Sequence, residues 1–175
     1  MKLRKISMLI AVVLVMGAIA LFVMGGLAQS ALAQTQSVQT RQNLVRFSGG
    51  IGDIPTGSAD TTVRGVVAAG QIWVIRDLAA DVKQDGSIRV DGRGLLGAGD
   101  AIGSNGNASV FATLFCANDG NAQHSTNPAG VPLEVDGDFR ITDTLSPAPP
   151  STCDSPVLLI RVTGPGSWFA AGIPR

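Results

Sequence analysis

From residue 44 onward the apolar residues come in short runs, and Gly, Asp, Asn or Pro interrupts them roughly every ten positions, the spacing of an all-β chain. The clearest run is Ser87 to Leu96, where Ile88 and Val90 alternate with Ser87, Arg89 and Asp91. Alternation with period two places one face in a core and the other in water. Asp85-Gly86, a favoured hairpin turn pair, stands just before it, and Gln71-Ile72-Trp73-Val74-Ile75-Arg76 is the expected antiparallel partner upstream. A second hairpin is expected from Val131-Pro132-Leu133-Glu134-Val135 through Asp136-Gly137 into Asp138-Phe139-Arg140-Ile141-Thr142. Val110 to Cys116 is apolar on both faces, as in a central strand covered on two sides. Further strands are expected near Leu44 to Ile51, Val63 to Ala68, Val157 to Ile160 and Trp168 to Ile173. No segment holds a helical period with caps. The pattern predicts an all-β fold: a single two-layer antiparallel sandwich of about eight or nine strands over residues 44–175.

The N-terminal pattern is of another kind. Met1-Lys2-Leu3-Arg4-Lys5 sets three positive charges before an uncharged apolar run from Ile6 to about Leu27, followed by Ala31-Leu32-Ala33 and a polar change at Gln34. This is the layout of a secretory signal peptide over residues 1–33, with cleavage after Ala33. The apolar run is also close to the roughly 20 residues that span a bilayer, so an uncleaved anchor is the alternative. Residues 34–43, rich in Gln, Thr and Ser, read as a flexible polar leader. Both alternatives put the β domain outside the cytoplasm. The expected location is secreted or extracytoplasmic, with a membrane partner only if the N-terminal helix is retained.

Composition narrows the chemistry. Beyond Ala33 there remain ten basic against thirteen acidic residues, with the basic ones scattered singly, a poor arrangement for nucleic acid. His124 is the only His, so a copper site or a catalytic zinc site lacks ligands. An even pair of cysteines, Cys116 and Cys153, in an exported chain predicts one disulfide. No G-x-S-x-G occurs, and His124 beside Ser125 reads as a solvated loop residue. The closest Asp pairs, Asp136 with Asp138 and Asp81 with Asp85, flank expected turns, where Asp caps nearby backbone N–H groups. No catalytic or cofactor residue is assigned. Calcium needs only oxygen ligands, and its candidates are Asp100, Asn105 and Asn107 in one Gly-rich loop and Asp119 with Asn121 in another. Trp73 reads as core; Trp168 is the candidate for an exposed aromatic patch.

The run Gln71-Ile72-Trp73-Val74-Ile75, then Asp85-Gly86-Ser87-Ile88-Arg89-Val90 and Gly92-Arg93-Gly94-Leu95, then a core strand ending in Cys116, resembles a group of uncharacterised exported bacterial β-sandwich proteins over about Val63 to Val162. The resemblance implies a fold and a bacterial, extracellular setting, and it brings no activity. Three functional readings follow. The first is a non-catalytic domain working by surface contacts with an envelope or extracellular partner. The second is a small-ligand or calcium-binding module using loops 97–107 and 119–130, and the third a small hydrolase.

Overall fold

Local alternation forms the strands, and nonlocal pairing decides their neighbours. The computed structural model describes residues 42–55 and 61–175; the expected signal segment and the leader as far as residue 41 lie outside the described residues. The strands are β1 (Asn43–Gly52), β2 (Thr62–Val63), β3 (Val66–Val67), β4 (Trp73–Val74), β5 (Asp77–Lys83), β6 (Ser87–Arg93), β7 (Leu96–Gly97), β8 (Ser109–Phe115), β9 (His124–Ser125), β10 (Val131–Pro132), β11 (Phe139–Thr144), β12 (Val157–Val162) and β13 (Trp168–Pro174). The only helical elements among the described residues are two 3₁₀ turns, Gly99–Ala101 and Ala117–Asp119.

Nine strands make one antiparallel sheet in the order β10-β8-β12-β13-β1-β5-β6-β11, with β9 also paired to β8. The sheet curls until it is nearly a barrel, and its two ends are tied in two places. Ser125 and Ser146 exchange backbone hydrogen bonds of 3.1 and 2.8 Å, and a tight turn joins Glu134 to Asp138. Closing a sheet on itself hides the edge strands that would otherwise invite pairing with other chains.

The inward residues follow the alternation. Leu78, Ala80 and Val82 of β5 and Ile88 and Val90 of β6 are buried, as are Leu114 and Leu158 across the core. Each Val, Leu or Ile side chain among them contributes about 1.5–3 kcal/mol by leaving water, and Ala80 less. Phe115, Leu159 and Trp168 lie in a second apolar cluster with Val66 and Ala68, contributed by and just beyond the short β2–β3 hairpin. This second cover explains why β8 and β12 are apolar on both faces. Trp168, the candidate for an exposed aromatic patch, is 8% exposed and packs in the core instead. Trp73 is buried as well, stacked on Phe169 with ring centroids 3.8 Å apart.

Three pairings differ from the sequence reading. The partner of β6 is β5, not residues 71–76, because a hairpin turn at Asp85-Gly86 joins the strands next to it: Val82 pairs Ile88 and Asp77 pairs Arg93. Trp73 and Val74 instead pair Gly97 and Leu96. The Asp136-Gly137 turn forms as expected, with Gly137 at φ 81° and the Glu134 N–H donating to the Asp138 carbonyl at 2.9 Å. Its two arms separate, however: β10 pairs β8 and β11 pairs β6, so the turn joins the two ends of the sheet. A Cβ at Gly137 would lie 2.6 Å from the Leu95 backbone, so glycine is needed there for space as well as for conformation. Val63 to Ala68 is a hairpin, not one strand, because the chain turns at Arg64-Gly65.

Gly92 has a different role. It faces Phe139 across β6–β11, and a Cβ there would come 2.1 Å from the ring. Gly92→Ala is expected to destabilise the fold by about 1–3 kcal/mol in urea unfolding, the usual range for overpacking. A loss under about 0.5 kcal/mol would mean that the ring has room to turn aside.

Candidate functional site

The seam where the curled sheet meets itself holds a groove of about 720 Å³. Its walls come from the segment around β9 (Gln123 to Pro128), the end of β11 (Asp143, Thr144), Ser146 and the Gly164–Gly166 hairpin; Phe111 and Arg161 lie beneath.

Arg161 is placed there by register. It pairs Phe111 across β12–β8, and the β12–β13 ladder shifts between Ile160 and Arg161, the kind of irregularity that re-aims a side chain. Its guanidinium carbon lies 5.1 Å from the centre of the Phe111 ring. Nε donates to the Gly166 carbonyl at 2.7 Å, and Nη1 donates to the Gln123 Oε1 at 2.8 Å and the Thr113 Oγ1 at 3.3 Å. All three acceptors are neutral. No ion pair among the described residues involves Arg161, and burial lowers its pKa from the ordinary arginine value. A half-buried cation without a counter-charge is unfavourable unless something supplies the missing anion.

On the β11 side of the groove, the Asp143 carboxylate accepts the Asn127 N–H at 2.7 Å and the Thr144 N–H at 2.8 Å. The groove therefore carries a fixed positive group and a fixed negative group, each held by neutral partners.

His124 is not the solvated loop residue that its neighbours suggest. It is 3% exposed; Nδ1–H donates to the Pro147 carbonyl at 2.9 Å, and Nε2 is 2.5 Å from the Asp119 carboxylate. Both ring nitrogens are committed, and Ser125 Oγ is hydrogen-bonded instead to Thr113 Oγ1 at 2.9 Å. No ring nitrogen is left to take a proton from a serine, which removes the geometry a hydrolase of that type needs. His124 instead ties the Ala117–Asp119 turn to the chain after β11.

The Asp pairs act as turn caps and ion-pair partners. Asp85 accepts the Ser87 hydroxyl and N–H, which lower its pKa. Asp136 caps the Asp138 N–H at 3.1 Å, Asp138 accepts the Gly94 N–H at 2.9 Å, and Asp81 pairs Arg46 at 2.9 Å. Asp91 bridges Arg89 and Arg140; burial works to raise its pKa, and the two arginines outweigh it and hold it low.

The calcium candidates are used locally. Asn105 Oδ1 accepts the Asn107 N–H at 3.1 Å while its Nδ2 donates to the Leu133 and Glu134 carbonyls, both at 3.1 Å. Asn107 and Asn121 hold left-handed turn conformations at φ 48° and 61°. Asp119 is committed to His124 and the Ala122 N–H, and Asp100 lies exposed in the other 3₁₀ turn. Among the described residues no three His, Cys, Asp or Glu side chains converge. Nor is any described helix long and apolar enough to cross a membrane.

Cys116 and Cys153 are joined, as expected. The bridge ties the end of β8 to the segment that enters β12.

One further carboxylate stands out. Asp53, just after β1, is fully buried, and neither carboxylate oxygen has a hydrogen-bond partner among the described residues. Burial raises its pKa to about 6. The Ala69 N–H acts in the opposite direction by proximity, but it is committed to the Trp168 carbonyl at 3.0 Å.

No protein-family model, no curated protein and no solved structure matches this chain.

Proposed function

We propose that this chain is an exported, non-catalytic β domain that acts by surface contact with an extracellular or envelope partner, and that the seam groove is the contact surface. The observation that supports this reading is Arg161, an uncompensated cation held by three neutral acceptors at an open groove. Groups held in place before a ligand arrives reduce the ordering penalty on binding. The curled sheet is read as a flattened barrel whose halves, β10-β8-β12-β13 and β1-β5-β6-β11, serve as the two layers of a sandwich across a shared core. The disulfide and the basic-then-apolar N-terminus support export through a cleaved signal.

Two measurements test this. Intact mass of the secreted protein is expected to begin at Gln34 and to be two hydrogens lighter than the reduced form; a full-length reduced chain in the cytosol would overturn export. Hydrogen exchange of the full chain, with and without envelope extract of its host, is expected to slow at 123–128, 143–146 and 161–166. Protection confined to another face would overturn the groove.

A further inference from the structure

We infer that the seam groove binds a peptide through a carboxylate, with Arg161 receiving the anion; this rests on the groove being the contact surface. A guanidinium has five N–H donors. Three are spent on Gly166, Thr113 and Gln123, and the two on Nη2 have no acceptor among the described residues. The three neutral contacts fix the plane of the group and add no negative charge, so the two free Nη2 donors are oriented before anything binds. Arginine pairs carboxylates with directional, charge-assisted hydrogen bonds, and such bonds are stronger where water is partly excluded.

The rest of the groove selects among carboxylate carriers. Asp143 repels a dianion such as phosphate about twice as strongly as a single carboxylate, and it offers acceptor oxygens to N–H groups of the kind a peptide backbone provides. A sugar would look for an exposed aromatic face. Phe111 is buried with the guanidinium over its ring, and both tryptophans are in the core. The volume of about 720 Å³ falls within the roughly 300–1,000 Å³ of small-ligand sites, enough for the last residues of a chain. Ser125 and Thr144 line the same groove and add hydrogen-bonding side chains.

The test is retention of random-sequence tetrapeptides on the immobilised full chain, the library made once with a free C-terminal carboxylate and once as the C-terminal amide. The free acids are expected to be retained about tenfold better, the effect of one charge-assisted pair. Arg161→Gln is expected to erase the preference, and Arg161→Lys, which keeps the charge without the planar group that Gly166, Thr113 and Gln123 hold in place, to recover only part of it. The acid-to-amide ratio is read on the unaltered chain, so it stands even if a variant fails to fold.

Equal retention of both forms, with hydrogen-exchange protection still at the groove, overturns the carboxylate assignment and leaves the contact surface. Loss of both retention and protection overturns the two together. Displacement of the peptides by millimolar phosphate but not by acetate overturns the peptide class in favour of a phosphoryl ligand.

Discussion

Breaking the Cys116–Cys153 bridge is expected to lower stability by about 4 kcal/mol, read as the difference in urea unfolding between the oxidised protein and the Cys116→Ala/Cys153→Ala double variant. The bridge closes a loop with a sequence separation of 37 residues, and in the chain-entropy model a loop of that length removes about 4 kcal/mol of freedom from the unfolded state. Domains are stable by only about 5–15 kcal/mol, so the loss is a large fraction of the total. The native corner should nonetheless keep its shape in the variant. Hydrogen bonds surround it: the Ala117 N–H to the Asp154 carbonyl at 2.7 Å, Asn118 Nδ2 to the Thr152 carbonyl at 2.8 Å, and the Asp154 N–H to Asn118 Oδ1 at 3.0 Å. The effect therefore falls on the unfolded chain, and the variant should show a steeper urea dependence because its unfolded state is more open. A loss below about 1 kcal/mol with unchanged steepness would show that these hydrogen bonds, not the covalent closure, hold β8 to the entry of β12.

What the sequence revealed about the fold follows from how local each interaction is. The turns at Asp85-Gly86 and Asp136-Gly137 were legible because their backbone geometry is set by two adjacent residues. β1, β8, β12 and β13 were legible from their own apolar pattern, and the disulfide from an even cysteine count. Strand partners were not. β5 reads weakly because Ala79 and Ala80 blur its alternation, which made the stronger run at 71–76 look like the neighbour of β6. The β10 and β11 arms share inward-facing apolar residues, and nothing in those residues shows that each pairs with a different strand.

The candidate site was hidden for the same reason. Phe111, Asp143 and Arg161 come from β8, β11 and β12, and only the curl of the sheet brings them to one groove. In the sequence, Arg161 is a lone charge after Leu158-Leu159-Ile160 with no visible relation to Phe111. A charged residue one position before the end of an otherwise apolar strand was the one available signal. The burial of His124 depends on the Pro147 carbonyl, 23 residues away, so its polar neighbours pointed the wrong way. Nothing in the sequence around Asp53, next to Ile54-Pro55, signals its burial.

Asp53→Asn is expected to stabilise the protein at pH 7 relative to its effect at pH 4, with the two differences separated by up to about 3 kcal/mol. The sign follows from linkage. A carboxyl whose folded pKa is raised to about 6 binds a proton more readily in the folded state than in the unfolded chain. Below about pH 4 both states are protonated and the residue carries no charge penalty. As pH rises from about 4 to about 6, the unfolded chain releases its proton first, and stability falls across that window. Above about pH 6 the penalty is complete, and two pKa units at 1.36 kcal/mol each give its approximate size. The groups that fix the position of Asp53 bring no compensating charge. Its N–H donates to the Phe169 carbonyl at 2.9 Å and its carbonyl accepts the Trp73 N–H at 2.8 Å, so its backbone ties together the strands that carry the Trp73–Phe169 stack. The amide variant keeps those backbone bonds and nearly the same shape while removing the charge. Comparing one variant at two pH values cancels the other titrating groups, including Asp85 and Asp91, whose lowered values make them act at more acid pH. The measurement is urea unfolding of both proteins at pH 4 and pH 7. An equal effect of the substitution at the two pH values would show that the buried carboxylate is compensated in the folded state, and its proton would then have no part in the stability of the domain.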